Sequence, residues 1–435
     1  MHLAGFLGRE TMKQMWVERR WLLKGGLGAL LGVISSAALA DVLVIDDATI
    51  AGGDDGVSGA QLRLGEQLMR YLASHKPAGA KDSAEAGGYV VVSPASLAAI
   101  LSLVDLGGSP LMHSAIHRTL GFKHAVRRKE LADLASLRNS VSAIIRQSGK
   151  DGPMVMANLV AFDRVTRPKQ LAMYALSGAG ADVLVDTLSD AKVVDRINGW
   201  VKEKTHDLIP QIIDEAPETL GLVALNALYF KDKWQVPLEP SRTVVASFQT
   251  TSGKPVDVQM MHSRVAPFRF RQDDRFIAAE LGYANENFKL VVATTKSTPA
   301  QPQDFAAVAS WLDGKGFDEE TGEIAIPKLK LAVSGELLQP LDAMGLALAR
   351  HSPRALQGFS DAPLEIARIF QKIELRVNEE GTEGAGATAV MTTRGIAIVR
   401  DHFKMVVDKP FVFALRDEKT GLILFMGYVG SPPKA

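Results

Sequence analysis

The sequence predicts an α+β fold in a single domain. Helical periodicity dominates the first half of the 435 residues and strand-like runs dominate the second. No Pro- or Ser-rich linker and no internal repeat separates the halves. Hydrophobic residues make up 47% and charged residues 23%, the balance of a globular chain with a sizeable core. Lys+Arg and Asp+Glu both number 49, so no net field directs the chain to nucleic acid or to an anionic membrane. The lack of cysteine excludes thiol nucleophiles, thiolate metal sites and disulfides.

Residues 1–40 read as a signal peptide. Arg19-Arg20 with Trp21 and Lys24 precede an apolar stretch that ends at Ala38-Leu39-Ala40, a small-x-small cleavage pattern. The paired arginines are twin-arginine-like, and Met12 also fits as a start. The mature chain is expected to begin near Asp41 and to work as an exported protein, periplasmic or extracellular. Residues 41–60, rich in Asp and Gly, are expected to form a flexible lead-in to a domain spanning 61–433.

Leu64, Leu68, Tyr71 and Leu72 recur at helical spacing. Tyr89–Val92 reads as a short buried strand. Ser93 then supplies an N-cap and Pro94 fills a first-turn position where its missing N–H costs nothing. The helix that follows, Leu97–Leu106, is apolar nearly all round and should be central. Helical patterns continue to Ile145. Met154–Phe162 is strand-like, Ala191–Ile213 reads as one amphipathic helix, and Leu222–Phe230 is a wholly apolar strand. A short helical insertion is expected at Phe305–Leu312. Strands are expected at Glu323–Leu331, Ile373–Val377, Phe403–Val407, Phe411–Arg416 and Leu422–Val429, the last two joined by a turn at Asp417–Gly421.

Residues 378–395 read N-E-E-G-T-E-G-A-G-A-T-A-V-M-T-T-R-G, too small and polar to build a core. Such a run between two β-rich segments is an exposed loop, and its length marks it as functional. Thr382, Gly384, Gly386, Thr388, Val390 and Thr392 would share one face if it became a strand. That face carries no charge and no proline, so it could enter a sheet without burying an ion or losing a ladder bond. Glu383 falls on the other face.

These residues resemble the serpin family. Asn378–Thr388 is similar to its hinge, Asp408-Lys409-Pro410-Phe411-Val412-Phe413 to the motif after its bait loop, and Leu424–Val429 to its terminal strand. Ser93-Pro94-x-Ser96, Ile197-Asn198-x-x-Val201, Leu225–Lys231 with Trp234, and Ile326–Leu331 fall in the family's order. The likeness runs from about residue 62 to 432 and points to a bacterial-type exported member.

The resemblance implies a helical part packed on three β-sheets with an exposed reactive loop. It implies a metastable suicide substrate for a serine or cysteine protease, held in a covalent complex. A cut loop that inserts into the sheet releases stored strain. Gly381 and Gly395 are fourteen steps apart, so insertion would carry the cut end roughly 45 Å. The hinge would comprise Glu380, Gly381, Thr382, Glu383, Gly384, Ala385, Gly386, Ala387 and Thr388. Ser93, Ser96, Asn226, Trp234 and Gln371 would lie where the sheet opens.

Gln371 stands where the family usually has histidine, and glutamine does not titrate near neutral pH. Gly384 replaces the usual alanine at a cost in chain entropy. The loop is longer than is usual, which leaves three candidate bonds: Arg394–Gly395, first for a trypsin-like enzyme, then Gly395–Ile396 and Met391–Thr392.

The implied function is protease inhibition, with no catalysis, cofactor or metal, and with a monomer that binds neither nucleic acid nor membrane. One alternative is a non-inhibitory binder or carrier. A remote one is a penicillin-recognising serine enzyme, through Ser189-x-x-Lys192, Tyr283-Ala284-Asn285 and Lys419-Thr420-Gly421. His113 and His117, at i and i+4 without H-E-x-x-H, read as a surface pair.

Overall fold

Helix α1 (Gly56–Ser74) and helix α2 (Pro94–Asp105) begin the fold, with strand β1 (Tyr89–Val92) between them. In the computed structural model, the described residues are 56–75, 88–123, 127–149, 152–382 and 402–433. The signal peptide and most of the lead-in lie outside them. Gly56–Ala60, read as lead-in, instead form the first turns of α1, where Gly59 and Ala60 are buried.

Every residue of α2 is buried. The Ser93 side chain accepts the N–H of Ser96 and Pro94 takes the first turn, so this apolar helix starts without an orphaned donor. It packs against α1, the helix α4 (Arg127–Ile145), and the strands Leu222–Phe230 and Ile423–Val429, one from each of two sheets. Helix α3 (Pro110–Thr119) precedes α4.

The first sheet contains β2 (Met154–Asp163), β3 (Asp182–Asp186), β4 (Leu222–Phe230), β12 (Leu329–Glu336) and β13 (Ile366–Asn378), in the order β3-β2-β4-β13-β12. Beyond β4 and β13 lie the two-residue strands β5 (Asp232–Lys233) and β14 (Gly381–Thr382). Strand β4 is buried throughout because both its faces are covered. Ala224 and Leu228 join the main core, while Val223, Leu225, Ala227 and Tyr229 pack beneath helix α6 (Lys192–Lys204). Helix α5 (Gln170–Gly178) and β3 were not anticipated.

The second network runs β1-β17-β16-β10-β9-β8-β11-β7-β6. Its strands are β6 (Val244–Gln249), β7 (Pro255–His262), β8 (Ala266–Gln272), β9 (Phe276–Gly282), β10 (Phe288–Thr295), β11 (Asp318–Pro327), β15 (Phe403–Val406), β16 (Phe411–Asp417) and β17 (Ile423–Val429). The expected three sheets appear here as two hydrogen-bonded networks because β11 serves two sheets at once. Its first half, Asp318–Gly322, pairs with β8; its second half pairs with β7 and, in parallel, with β15.

Two expected elements are corrected. Glu323–Leu331 is not one strand: Pro327, which has no N–H to donate, ends β11, and β12 starts at Leu329 in the other sheet. The helix expected to reach Ile213 stops at Lys204. The Thr205 hydroxyl bonds to Val201 O and to Ile209 N, and His206 and Asp207 then take positive φ. Asn198 Oδ1 accepts the amides of Ile212 and Ile213, so these apolar residues are buried by a folded-back loop rather than by helical spacing.

Leu101 is fully buried at the centre of α2. Truncation to Leu101→Ala is expected to destabilise the fold by about 2–5 kcal/mol. An unchanged denaturant midpoint would show that α2 does not hold the core.

Candidate functional site

Strand β13 ends in a turn that its own sequence builds. Asn378 Oδ1 accepts the amides of Glu380 (3.0 Å) and Gly381 (3.2 Å), a side-chain mimic of a backbone turn. Gly381 has φ +152°, and a Cβ there would lie 2.1 Å from Asp232 O. Only glycine fits that approach. Gly381 pairs with Asn378 and Lys233, and Thr382 with Val377 and Asp232. The first two loop residues therefore already form a strand, β14, antiparallel to β13 on one side and to β5 on the other.

Thr382 is fully buried, and its hydroxyl lies 2.8 Å from that of Tyr283 in a hydrogen bond. The Tyr283 ring stacks on Trp234, with centroids 4.6 Å apart, and meets Phe230 edge-on. Burial pushes the Tyr283 hydroxyl far above the ordinary phenol range, so it stays protonated. Trp234 grips the turn twice, with its indole N–H on Asn378 O and its amide on Glu380 O, both at 2.8 Å.

Glu379 anchors the same turn. It accepts Lys328 Nζ and Thr243 Oγ1, each at 2.7 Å. Burial alone would raise its carboxyl, but the hydrogen bonds from Lys328 and Thr243 outweigh it and hold the group below the usual glutamate range.

A second polar group lies under the middle of the sheet. Ser93 and Ser96 are fully buried and joined by a 2.8 Å hydroxyl bond. Gln371 Nε2 donates to Ser93 O over a long 3.4 Å. Asn226 Nδ2 donates to Asn158 Oδ1 at 2.8 Å. Among the described residues, buried Asn226 Oδ1 and Asn158 Nδ2 find no hydrogen-bond partner. Gln371 and Asn226 face each other across the parallel β4–β13 seam.

The structure thus brings Trp234 to Glu380, Gly381 and Thr382, and gathers Ser93, Ser96, Asn226 and Gln371 beneath the seam. Glu383, Gly384, Ala385, Gly386, Ala387, Thr388, Met391, Thr392, Arg394, Gly395 and Ile396 lie outside the described residues. The sequence reading missed Tyr283, Asn158 and the Lys328–Glu379–Thr243 cluster. Asn158 carried a signal, as a lone amide inside the apolar run M-V-M-A-N-L-V-A-F.

The rival motifs do not assemble. Ser189 is exposed on the β3–α6 connection, Tyr283 is committed to Thr382, and Thr420 closes the β16–β17 turn through Asp417. The surface histidine pair is also corrected. His117 is buried against Asp133 and His113 bonds to Asp105, each ring held by its own carboxylate. Among the described residues no cluster of three metal-ligating side chains occurs.

A family model described as Serpin (serine protease inhibitor) matches residues 79–432. The chain is 28% identical to a leukocyte elastase inhibitor of Bos taurus, over 86% of this chain and 99% of that protein. It is 30% identical to serine protease inhibitor 42Dd of Drosophila melanogaster, over 79% of this chain and 91% of that protein. Among solved structures, Serpin48 of the insect Tenebrio molitor matches with a TM-score of 0.72 at 21% identity, over 88% of this chain and all of that one. A thyroxine-binding globulin complexed with thyroxine matches at 0.71 and 20%, over 87% of this chain and 99% of that one. At such identities these two likenesses show a shared fold. The expectation of a bacterial-type exported member is overturned, since the matching relatives come from mammals, insects, plants and a tick.

The Glu379 anchor has a pH signature. A carboxyl held low in the fold contributes stability above its unfolded pKa of about 4.3. That contribution is lost as pH falls through the lower folded value. Glu379→Gln is expected to melt earlier than wild type at pH 7, with the gap closing below about pH 4. Melting curves that stay parallel across this range would remove Glu379 from the anchor.

Proposed function

The chain belongs to the serpin family, and from that premise we propose that it inhibits a serine-type endopeptidase by offering its loop as a suicide substrate. It performs no turnover of its own. The protease supplies nucleophile and base, and this protein supplies the peptide bond and the sheet that receives the cut loop.

One observation carries the reading: β14 sits at the mouth of the β4–β13 seam in the register an inserted strand would need. Thr382 pairs with Val377 and Asp232, which are offset by the same 145 positions as the seam partners Gln371 and Asn226. Continuing both ladders would place Gly384 opposite Leu375 and Phe230, and Thr388 opposite Gln371 and Asn226. Neither β4 nor β13 needs to slip. The Thr388 hydroxyl would arrive beside the unpartnered Asn226 Oδ1. Glu383, on the outer face, would come between Arg376 and Lys231, two basic residues.

Insertion would replace one parallel ladder by two antiparallel ones. Antiparallel pairing is the more stable per residue, and the new strand adds a full set of backbone hydrogen bonds. That difference supports the stored strain the mechanism requires. The leader sequence supports export of the mature chain.

The test is incubation with trypsin and, separately, with elastase-like and subtilisin-like proteases, followed by a denaturing gel and mass of the cut chain. A covalent complex with trypsin, cut after Arg394, is the expected result. Cleavage by every protease without complex would refute inhibition. Thr388→Arg, which would have to bury a charge under the sheet, is expected to lower complex yield more than about tenfold while the loop is still cut.

A second reading, as a binder or carrier, is favoured by a cavity of about 450 Å³ among α1, β1, β16, β17 and the 3-10 helix Pro302–Asp313. Its walls include Met69, Phe305, Leu312 and Met426, with Glu66 and Arg70 bonded to each other among the lining residues. This reading takes over if no protease is trapped and a small apolar ligand raises the melting temperature.

A further inference from the structure

Among the described hinge residues, Glu380, Gly381 and Thr382, it is Thr382 whose side chain makes a specific bond inside the sheet. Its partner, Tyr283, is fully buried, stacked on Trp234 and set edge-on to Phe230. A phenol hydroxyl in that position costs stability unless something bonds to it. The bond to Thr382 is the one hydrogen bond its hydroxyl makes among the described residues.

The sequence leaves little choice of partner. If the strand were continued past Thr382, its same face would next carry Gly384 and Gly386, which have no hydroxyl, and the next hydroxyl in the sequence at that spacing is six residues on at Thr388. A slip of one residue would be worse, since it would bring Glu383 into the buried position beside Tyr283 and turn every loop side chain to the opposite face. A slip of two would leave Tyr283 facing glycine.

We propose that Tyr283 is a positioning residue that sets the register in which the loop enters the sheet, by presenting a buried hydroxyl that Thr382 alone satisfies. The proposal rests on the inhibitory reading and deepens it. Trapping is a race between insertion and hydrolysis of the acyl-enzyme. A loop whose first residues are already paired in register begins that race past its nucleation step. A loop free to start out of register loses time in unproductive pairings, and more inhibitor is consumed as plain substrate.

The experiment compares wild type with Tyr283→Phe, Thr382→Val, Thr382→Ser and the Phe/Val double variant, in the full mature chain. The first readout is the number of inhibitor molecules consumed per protease inactivated, a ratio that does not depend on how fast the loop is first attacked. Tyr283→Phe and Thr382→Val are each expected to raise it roughly threefold to tenfold, the worth of one buried hydrogen bond. The double variant should be no worse than either single one, and Thr382→Ser should behave as wild type. The second readout is hydrogen exchange at the amides of Gly381 and Thr382, which should quicken in the Phe and Val variants while α2 keeps its protection.

A wild-type ratio and wild-type exchange in Tyr283→Phe would overturn the proposal, as would a Thr382→Ser variant as poor as Thr382→Val. If wild type traps no protease at all, the inhibitory reading fails separately. Exchange at the two hinge amides then decides the bond: quickened exchange retains Tyr283 as the group that seats the hinge, and unchanged exchange removes it.

Discussion

Eight residue pairs, from Leu222 with Ile366 to Tyr229 with Glu374, join β4 and β13 in parallel. The arrangement elsewhere follows from keeping this seam closed yet separable. Apolar side chains lock it from both sides, through the main core below and the α6 cluster above. A register shift near Ile366 marks one end of the ladder, and the two-residue strand β14 lies beyond the other. The seam is complete as it stands, but it is a parallel ladder where a better antiparallel one is available in the same chain.

The polar residues beneath the seam fit this picture. A fully satisfied network would rigidify the sheet. Here the Asn226–Asn158 pair leaves an acceptor and a donor without partners, and Gln371 makes one long bond. Groups buried in this way cost stability in the closed state. With glutamine at 371, this opening does not gain a titrating switch near neutral pH.

Much of this was legible in the chain. Capping chemistry at Ser93 and Pro94 announces α2, and an unbroken apolar run announces β4. What escaped depended on partners distant in sequence. Tyr283 precedes Thr382 by 99 positions, and nothing local distinguishes a tyrosine that will bond a threonine from one that merely packs. The length of α6 was misread because Ile209, Ile212 and Ile213 mimic helical spacing while a loop held by Asn198 buries them. The break between β11 and β12 was misread because Pro327 lies inside an otherwise alternating run.

That break has a mechanical meaning. Pro327 closes a strand of one sheet and Leu329 opens a strand of the other, so Lys328 is the entire joint between them. Its backbone is tied to Gln259 of β7, and its ammonium reaches Glu379 in the turn that ends β13. A single residue with no slack behaves as a stiff lever. Shear of one sheet against the other cannot be absorbed by a loop there and is delivered to the turn at Glu379. The molecule thereby couples its two sheets to the turn at Glu379 through one residue, and a load applied to β7 has a direct line to that turn.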